Sequence, residues 1–315
     1  MRVFTSLDDV KTIKNPIVTI GTFDGVHLGH QKIINKLIEE AQKFKGESVL
    51  LTFLPHPRMI LYPQNHGLQL LQTQKEKLKS LANTGIDNVI IIPFSLEFSR
   101  MSAWNFVRDL LVKSLEVHTL VIGYDHQFGK NREGNIHYLR DMSESFNFNV
   151  IEISAKESND VNISSTKIRN ALFKGDIQTA ENYLGRPFLI SGKVVKGDGI
   201  GTKIGYPTAN ISIDEETKLI PKNGVYGVST TYNKREYFGL MNIGIRPSIK
   251  TNKTEHRIEM HILNFNSPIY GEWLDIKILK RVRNEIKFDS IKNLKKQILK
   301  DEIIVRDFFG RHIVS

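Results

Sequence analysis

Ile17-Val18-Thr19-Ile20-Gly21-Thr22-Phe23-Asp24-Gly25-Val26-His27-Leu28-Gly29-His30 is the stretch that decides the fold of the first half of the chain. It begins as a short β-branched run, breaks at Gly21, and passes through a glycine-spaced turn into residues 29–44. There Ile33, Ile34, Leu37, Ile38 and Ala41 recur at helical spacing. A buried strand feeding an amphipathic helix is the unit from which parallel sheets are built. In such sheets ligands bind beyond the carboxyl ends of the strands. A helix N-terminus placed there offers unpaired N–H groups and a positive partial charge, and so attracts phosphate. Gly21, Gly25 and Gly29 permit close backbone approach. His27 and His30 are three residues apart, which places them on one side of a first helical turn. Two imidazoles in that position can donate hydrogen bonds to phosphate oxygens as charge builds on a leaving pyrophosphate. The lysine of a G-x-x-x-x-G-K-[ST] loop is missing, and G-x-G-x-x-G is not present either.

Outward from this unit the alternation continues. Strands are expected at Ser48 to Phe53, Val89 to Ile92, Thr119 to Ile122 and Asn149 to Ser154. Helices are expected at Lys75 to Ala82, Ala103 to Val112 and Thr166 to Phe173. The pattern predicts an α/β domain with a parallel sheet covered by helices on both faces. It changes at Leu184-Gly185-Arg186-Pro187. Short strands then follow one another at Phe188 to Val195, Tyr226 to Thr231, Tyr237 to Ile243, Ile258 to Leu263 and Trp273 to Leu279, with no helix expected between them. That spacing predicts a barrel or sandwich, and residues 289–309 return to helical periodicity. The expected domains are therefore 1–184 and 185–315.

Composition narrows the function classes. The chain has 315 residues and no cysteine, which excludes disulfides, thiolate catalysis and cysteine-ligated zinc and fits a cytoplasmic home. No signal peptide and no apolar run of membrane length is read, so a soluble protein is expected. Net charge is +10, but the basic residues are scattered, without a block or an aromatic ladder. No nucleic-acid or membrane partner is therefore expected, and no obligate protein partner is evident.

Further motifs sit at the same kinds of position. Asn162-Ile163-Ser164-Ser165-Thr166-Lys167-Ile168-Arg169 sets hydroxyls before a helix and two cations in its first turn. Those cations oppose the helix dipole unless phosphate is bound there. Gly123-Tyr124-Asp125-His126-Gln127-Phe128-Gly129 through Gly134, and Thr52-Phe53-Leu54-Pro55-His56-Pro57-Arg58, each follow a strand and carry aromatics able to stack on a planar ring. Taken without the other motifs, loop packing is the preferred explanation. In the second half, Gly197, Gly199, Gly201 and Gly205 can wrap phosphates with backbone N–H groups, and no helix is expected after them. Pro207-Thr208-Ala209-Asn210 puts a hydroxyl and an amide oxygen on one face of an extended chain, both hard donors suited to Mg²⁺, although a turn explains the segment equally well. Glu259 and His261 share the face of their strand opposite to Ile258, Met260 and Ile262. Glu259 is either a solvent-facing carboxylate or a general base.

Taken together these motifs resemble the prokaryotic bifunctional riboflavin kinase/FAD synthetase family over essentially the whole chain. The resemblance implies a Rossmann-like nucleotidyltransferase domain with a parallel sheet, followed by a small antiparallel β-barrel domain with a C-terminal helix. It implies two ATP-dependent steps with Mg²⁺ as cofactor: phosphorylation of riboflavin to FMN, then adenylylation of FMN to FAD with release of pyrophosphate. Catalytic roles would fall on His27, His30 and Glu259. ATP would be held in the transferase by Gly21, Thr22, Phe23, Asp24, Gly29, Ser164, Thr166 and Arg169. In the kinase it would be held by Gly197, Gly199, Gly201, Thr208 and Asn210, with Thr208 and Asn210 as metal ligands. Flavin would meet Phe53, His56, Asp125, Phe128 and Arg283. The chain departs from the family pattern at His126, Ser248 and Asn284. Two other readings remain at this stage: a transferase for a different phosphorylated acceptor, and a flavin- or nucleic-acid-binding regulator without catalysis.

Overall fold

The structure is a computed structural model that describes residues 1–64, 67–153, 163–197, 199–247 and 254–313. Asn162, Asp198, Ser248 and Ser154, the expected end of a strand, lie outside the described residues. The chain divides into two compact units. One is Met1–Leu68 with Lys77–Ser164, the other Gln69–Glu76 with Ser165–Ser315.

The first unit is built on six strands: β1 (Arg2–Phe4), β2 (Pro16–Ile20), β3 (Glu47–Leu54), β4 (Asn88–Pro93), β5 (Thr119–Gly123) and β6 (Asn149–Ile153). Their order is β1-β4-β3-β2-β5-β6, and every pairing is parallel. All five residues of β2 are buried, as a central strand covered on both faces requires. Its side chains alternate between two cores. Val18 and Ile20 pack with Leu51, Ile90, Leu120, Phe106 and Leu139. Ile17 packs with Leu50, Val89 and Val121, under Ile34 and Leu37 of helix α1 (Leu28–Lys43) and Leu81 of the Gln74–Ala82 helix. The expected helix at Ala103 to Val112 begins as an α-turn at Ala103–Asn105 and continues as π-helix over Phe106–Ser114, burying Phe106, Val107, Leu110 and Leu111. A helix not expected from the sequence, Ile136–Phe146, covers the same face. The strand order reverses between β2 and β5, so the loops following those two strands flank the switch point where ligands bind in such sheets.

The second unit carries a closed barrel of order β10-β11-β8-β7-β12-β9. Its strands are β7 (Phe188–Val195), β8 (Ala209–Ser212), β9 (Gly224–Tyr232), β10 (Arg235–Pro247), β11 (Thr254–Ile262) and β12 (Trp273–Arg283), paired antiparallel throughout. Alternate residues fill the interior, among them Ile190, Tyr226, Val228, Met241, Ile243, Met260, Ile276 and Ile278. On the outer wall Val225, Leu240 and Leu263 pack against Val305 and Phe309 of the Ile291–Ile313 helix, and Phe238 stacks on Phe309 at 4.0 Å. A four-residue helix, Ile200–Lys203, lies inside the glycine-rich stretch where none was expected. It is entered through Gly199 at φ +69°, a conformation open to glycine at little cost.

Gln69–Glu76 belongs to the barrel unit, which sequence order conceals. Leu70 pairs with Lys218 in a parallel bridge. The Lys218 ammonium, buried to 1 %, lies 2.6 Å from the Glu76 carboxylate, itself 1 % exposed. It also donates to the carbonyls of Leu71 and Leu189, each at 2.7 Å, and sits over the Phe188 ring. Glu76 accepts further from the backbone N–H of Thr73 and Ser191. A lysine so deeply buried is tolerable only because an ionised partner and carbonyl oxygens replace its water.

Candidate active sites

In the first unit β2 delivers the chain to the switch point, and residues 21–27 turn it sharply into α1. Phe23 and Val26 have φ of +48° and +39°, and Gly25 of +92°. Two non-glycine residues in the left-handed region within one turn mark a backbone held against its own preference, which recurs at ligand clamps. His27 caps α1, its Nδ1 accepting from the His30 backbone N–H at 3.3 Å. An Nδ1 that accepts leaves the ring proton on Nε2, and a donor is what a phosphate oxygen needs. The His27 and His30 rings stack with centroids 3.7 Å apart, and Phe23 packs against His30 at 4.9 Å. The sequence expectation that the two imidazoles share one side of the first turn is met. Asp24 is buried. A methyl on Gly29 would press on the His27 ring at 3.2 Å and meet the carbonyl of Ile163 at 3.9 Å, so the stretch preceding Ser164 approaches the start of α1.

The Thr22 carbonyl accepts from the Thr52 hydroxyl at 3.2 Å and from the buried Lys77 ammonium at 3.4 Å, and Lys77 also donates to Thr52. Sequence reasoning missed Lys77. The signal was a lysine four residues before the fully buried Leu81, and therefore on the inward face of its helix.

The flavin-side expectations divide. Phe53 is half-buried against Phe94 and Phe98. His56 caps the short Pro57–Leu61 helix, and Asp125 is exposed. Phe128, 8 % exposed, packs against Phe106 and Tyr138. His126 stacks beside Phe128 at 5.9 Å, and burial pushes its pKa down to about 4. The folded protein thus binds fewer protons than the unfolded chain between pH 4 and the ordinary histidine value of about 6.5, and stability falls as pH falls through that window. His126→Phe is expected to lose less stability than the parent between pH 7 and 5, by about 2 kcal/mol, in denaturant titrations at the two pH values. Thr166 is exposed on the Ser165–Lys174 helix in the other unit. On the same helix Arg169 is buried and donates to the Gln69 carbonyl at 2.7 Å.

In the barrel unit three adjacent strands bring polar residues into register. Glu259 of β11 lies opposite Asn210 of β8 on one side and Asn242 of β10 on the other. Ile258, Met260 and Ile262 point into the barrel, so Glu259 and His261 face outward, as alternation requires. There they line a cavity of about 260 Å³ together with Thr208, Arg257, Arg283 and Glu285, roofed by Leu294 and Ile298 of the Ile291–Ile313 helix. The glycine loop lies directly on this surface. A methyl at Gly197 would collide with the Asn210 amide. One at Gly201 would strike the Tyr206 carbonyl and come within 3.1 Å of the Thr208 hydroxyl. His261 Nδ1 meets the Pro207 carbonyl at 2.8 Å, which fixes the chain entering Thr208. Arg283 is paired with the buried Asp301 at 2.8 Å, and the strand register shifts just before it, between Arg281 and Arg283. Among the described residues no group of three or more His, Cys, Asp or Glu could hold a metal. Thr208 and Asn210 are instead neutral oxygen donors, the kind that complete the coordination of a Mg²⁺ already carried by a nucleotide. No helix of the described residues is long and apolar enough to cross a membrane.

A doubly wound sheet with stacked histidines at its switch point, followed by a barrel with a glycine loop laid over threonine, asparagine and glutamate, defines a two-part transferase of nucleotide phosphates. Comparison with known proteins gives the particular case. The family model described as FAD synthetase matches residues 9–167, and that described as riboflavin kinase matches residues 184–309. A bifunctional riboflavin kinase/FMN adenylyltransferase from Buchnera aphidicola subsp. Schizaphis graminum is 41% identical, over 98% of this chain and 99% of that protein. The Escherichia coli K12 protein of the same description is 37% identical, over 93% of each. A crystal structure described as a macrolide-efflux protein from Streptococcus pneumoniae superposes with a TM-score of 0.86 at 30% identity, covering 96% of this chain and 98% of that one. The chain belongs to the bifunctional riboflavin kinase/FMN adenylyltransferase family, and is an enzyme of flavin-cofactor synthesis with a kinase and an adenylyltransferase activity.

Proposed function

We propose that the two constellations are the two active sites, with a functional division at 184/185, and that each works by positioning and charge stabilisation. The register that sets Glu259 between Asn210 and Asn242, beneath glycines pressed on Asn210 and Thr208, carries the kinase assignment. There Glu259 takes the proton of the terminal ribityl hydroxyl of riboflavin. The hydroxyl oxygen attacks the γ-phosphorus of ATP, ADP leaves, and FMN is formed. Thr208 and Asn210 would hold Mg²⁺ with the ATP phosphates, and the ion would neutralise their charge when bound. Gly197, Gly199 and Gly201 let the loop close over the phosphates.

In the first unit a phosphate oxygen of FMN attacks the α-phosphorus of a second ATP and pyrophosphate departs. No protein nucleophile is needed, since the incoming group is already anionic. His27 and His30 donate to the phosphates as charge builds, beside the turn of Gly21, Thr22, Phe23, Asp24 and Gly29. Ser164 is assigned to the same nucleotide, with Thr166 and Arg169 following it in the motif. Phe53, His56 and Asp125 at the ends of β3 and β5 are assigned to the flavin. The reaction needs no nucleic-acid or protein partner, and dependence on ATP with an absence of cysteine supports a cytoplasmic location.

Gly197→Ala is expected to lower riboflavin phosphorylation by about 10-fold or more, because the added methyl displaces the Asn210 amide. Steady-state kinetics with riboflavin and ATP check this. The overall proposal is tested by chromatography of products from purified protein with riboflavin, ATP and Mg²⁺. FMN followed by FAD, both abolished by EDTA and restored by Mg²⁺, is the expected result; no flavin product from either riboflavin or FMN would refute it.

A further inference from the structure

β11 places Arg257 two residues before Glu259, hence on the same outward face and in the same cavity. The Arg257 guanidinium lies 2.8 Å from Oε1 of Glu259, with the two side chains 27% and 24% exposed. Among the described residues Oε2 of Glu259 has no hydrogen-bond partner. One oxygen is anchored, the other is unbonded, and the residue lines the cavity. That is the arrangement a base needs when a third group orients it. The cavity also contains Glu285, and Asp301 is already taken by Arg283. Arg257 is therefore the cation that holds the Glu259 carboxylate in one rotamer among neighbouring acidic groups. An arginine suits the task because its planar fork is pre-organised, so that little freedom is lost per bond formed.

We propose that Arg257 is a positioning residue of the phosphorylation step, acting through Glu259. The inference rests on the reading of Glu259 as the base that takes the ribityl hydroxyl proton. Arg257 neither receives that proton nor bonds to the transferred phosphoryl group. It keeps Oε2 directed at the hydroxyl, so its loss misplaces the base without removing a substrate contact.

The test uses the full chain and a double-mutant cycle of Arg257→Met and Glu259→Ala, with Arg257→Lys as the conservative variant. The calorimetric melting transition of each preparation reports that the barrel unit is folded, and adenylylation of supplied FMN reports the same of the first unit. Arg257→Met is expected to lower kcat for riboflavin phosphorylation by about 10- to 100-fold with both KM values within about 3-fold, and Arg257→Lys to recover most of the loss. On the Glu259→Ala background, followed by phosphate transfer from radiolabelled ATP, Arg257→Met is expected to cost less than about 2-fold more. An unchanged kcat, a raised KM with kcat intact, or a full multiplicative loss on the Glu259→Ala background would each overturn the inference. If Glu259→Ala itself keeps the parent kcat, the base reading falls and the inference with it. If Glu259→Ala is impaired and Arg257→Met is not, the inference alone falls.

Discussion

Glu259→Ala is expected to lower riboflavin phosphorylation by about 10²- to 10⁴-fold, the range for loss of a positioned general base, while adenylylation of supplied FMN continues. The carboxylate sits on the outer wall of the barrel, between Asn210 and Asn242, where it is bonded to Arg257 on the same face. Ile258 and Met260, its neighbours in the chain, do the packing and are untouched by the change. Separate rates for the two half-reactions check this. Loss of both in a folded protein would mean that one site serves both.

Lys218→Met is expected to destabilise the barrel unit by about 3–5 kcal/mol, because it strands the Glu76 carboxylate in a place where both partners are 1 % exposed. At about 2–4 °C per kcal/mol for a unit of this size, the melting transition should drop by at least 6 °C. Calorimetry of the full chain checks both figures. Adding Glu76→Gln should recover part of the loss, since no charge remains unpaired, while the one amide oxygen keeps only one of the two backbone donors, Thr73 N–H on Oε2 or Ser191 N–H on Oε1. The same reasoning applies to a fragment cut at 185–315. It would keep Lys218 and lack its carboxylate, and should melt lower than the barrel of the intact chain unless Lys218→Met is introduced.

Local periodicity made the first half legible. The passage from β2 through the glycine turn into α1 changes period from two to 3.6 within a few residues, and no other local structure accommodates that change. That His27 and His30 share one side was legible for the same reason, since a spacing of three at a first helical turn brings two side chains together. Strands β7 and β9 to β12 were legible individually. Their closure was not, because register across a barrel leaves no mark in a single segment. The short Ile200–Lys203 helix was missed because a glycine-rich stretch reads as loop. Ile136–Phe146 was missed although Asn135 caps its start and Asn147 ends it in the left-handed region. Lys218 and Glu76 are 142 residues apart and each resembles a surface charge, so only the fold reveals the pair. Phe128 was read from the sequence as a loop aromatic, and its packing against Phe106 and Tyr138 was not legible there.

The central claim is that two independent sites act in series, and the most direct test is product analysis of His30→Ala with riboflavin, ATP and Mg²⁺. Removing one of two stacked donors at the switch point should cut adenylylation by about 10²- to 10³-fold. FMN should then accumulate at the parent rate while FAD fails to form. FAD produced at the parent rate, or loss of FMN together with FAD in a folded protein, would contradict the account.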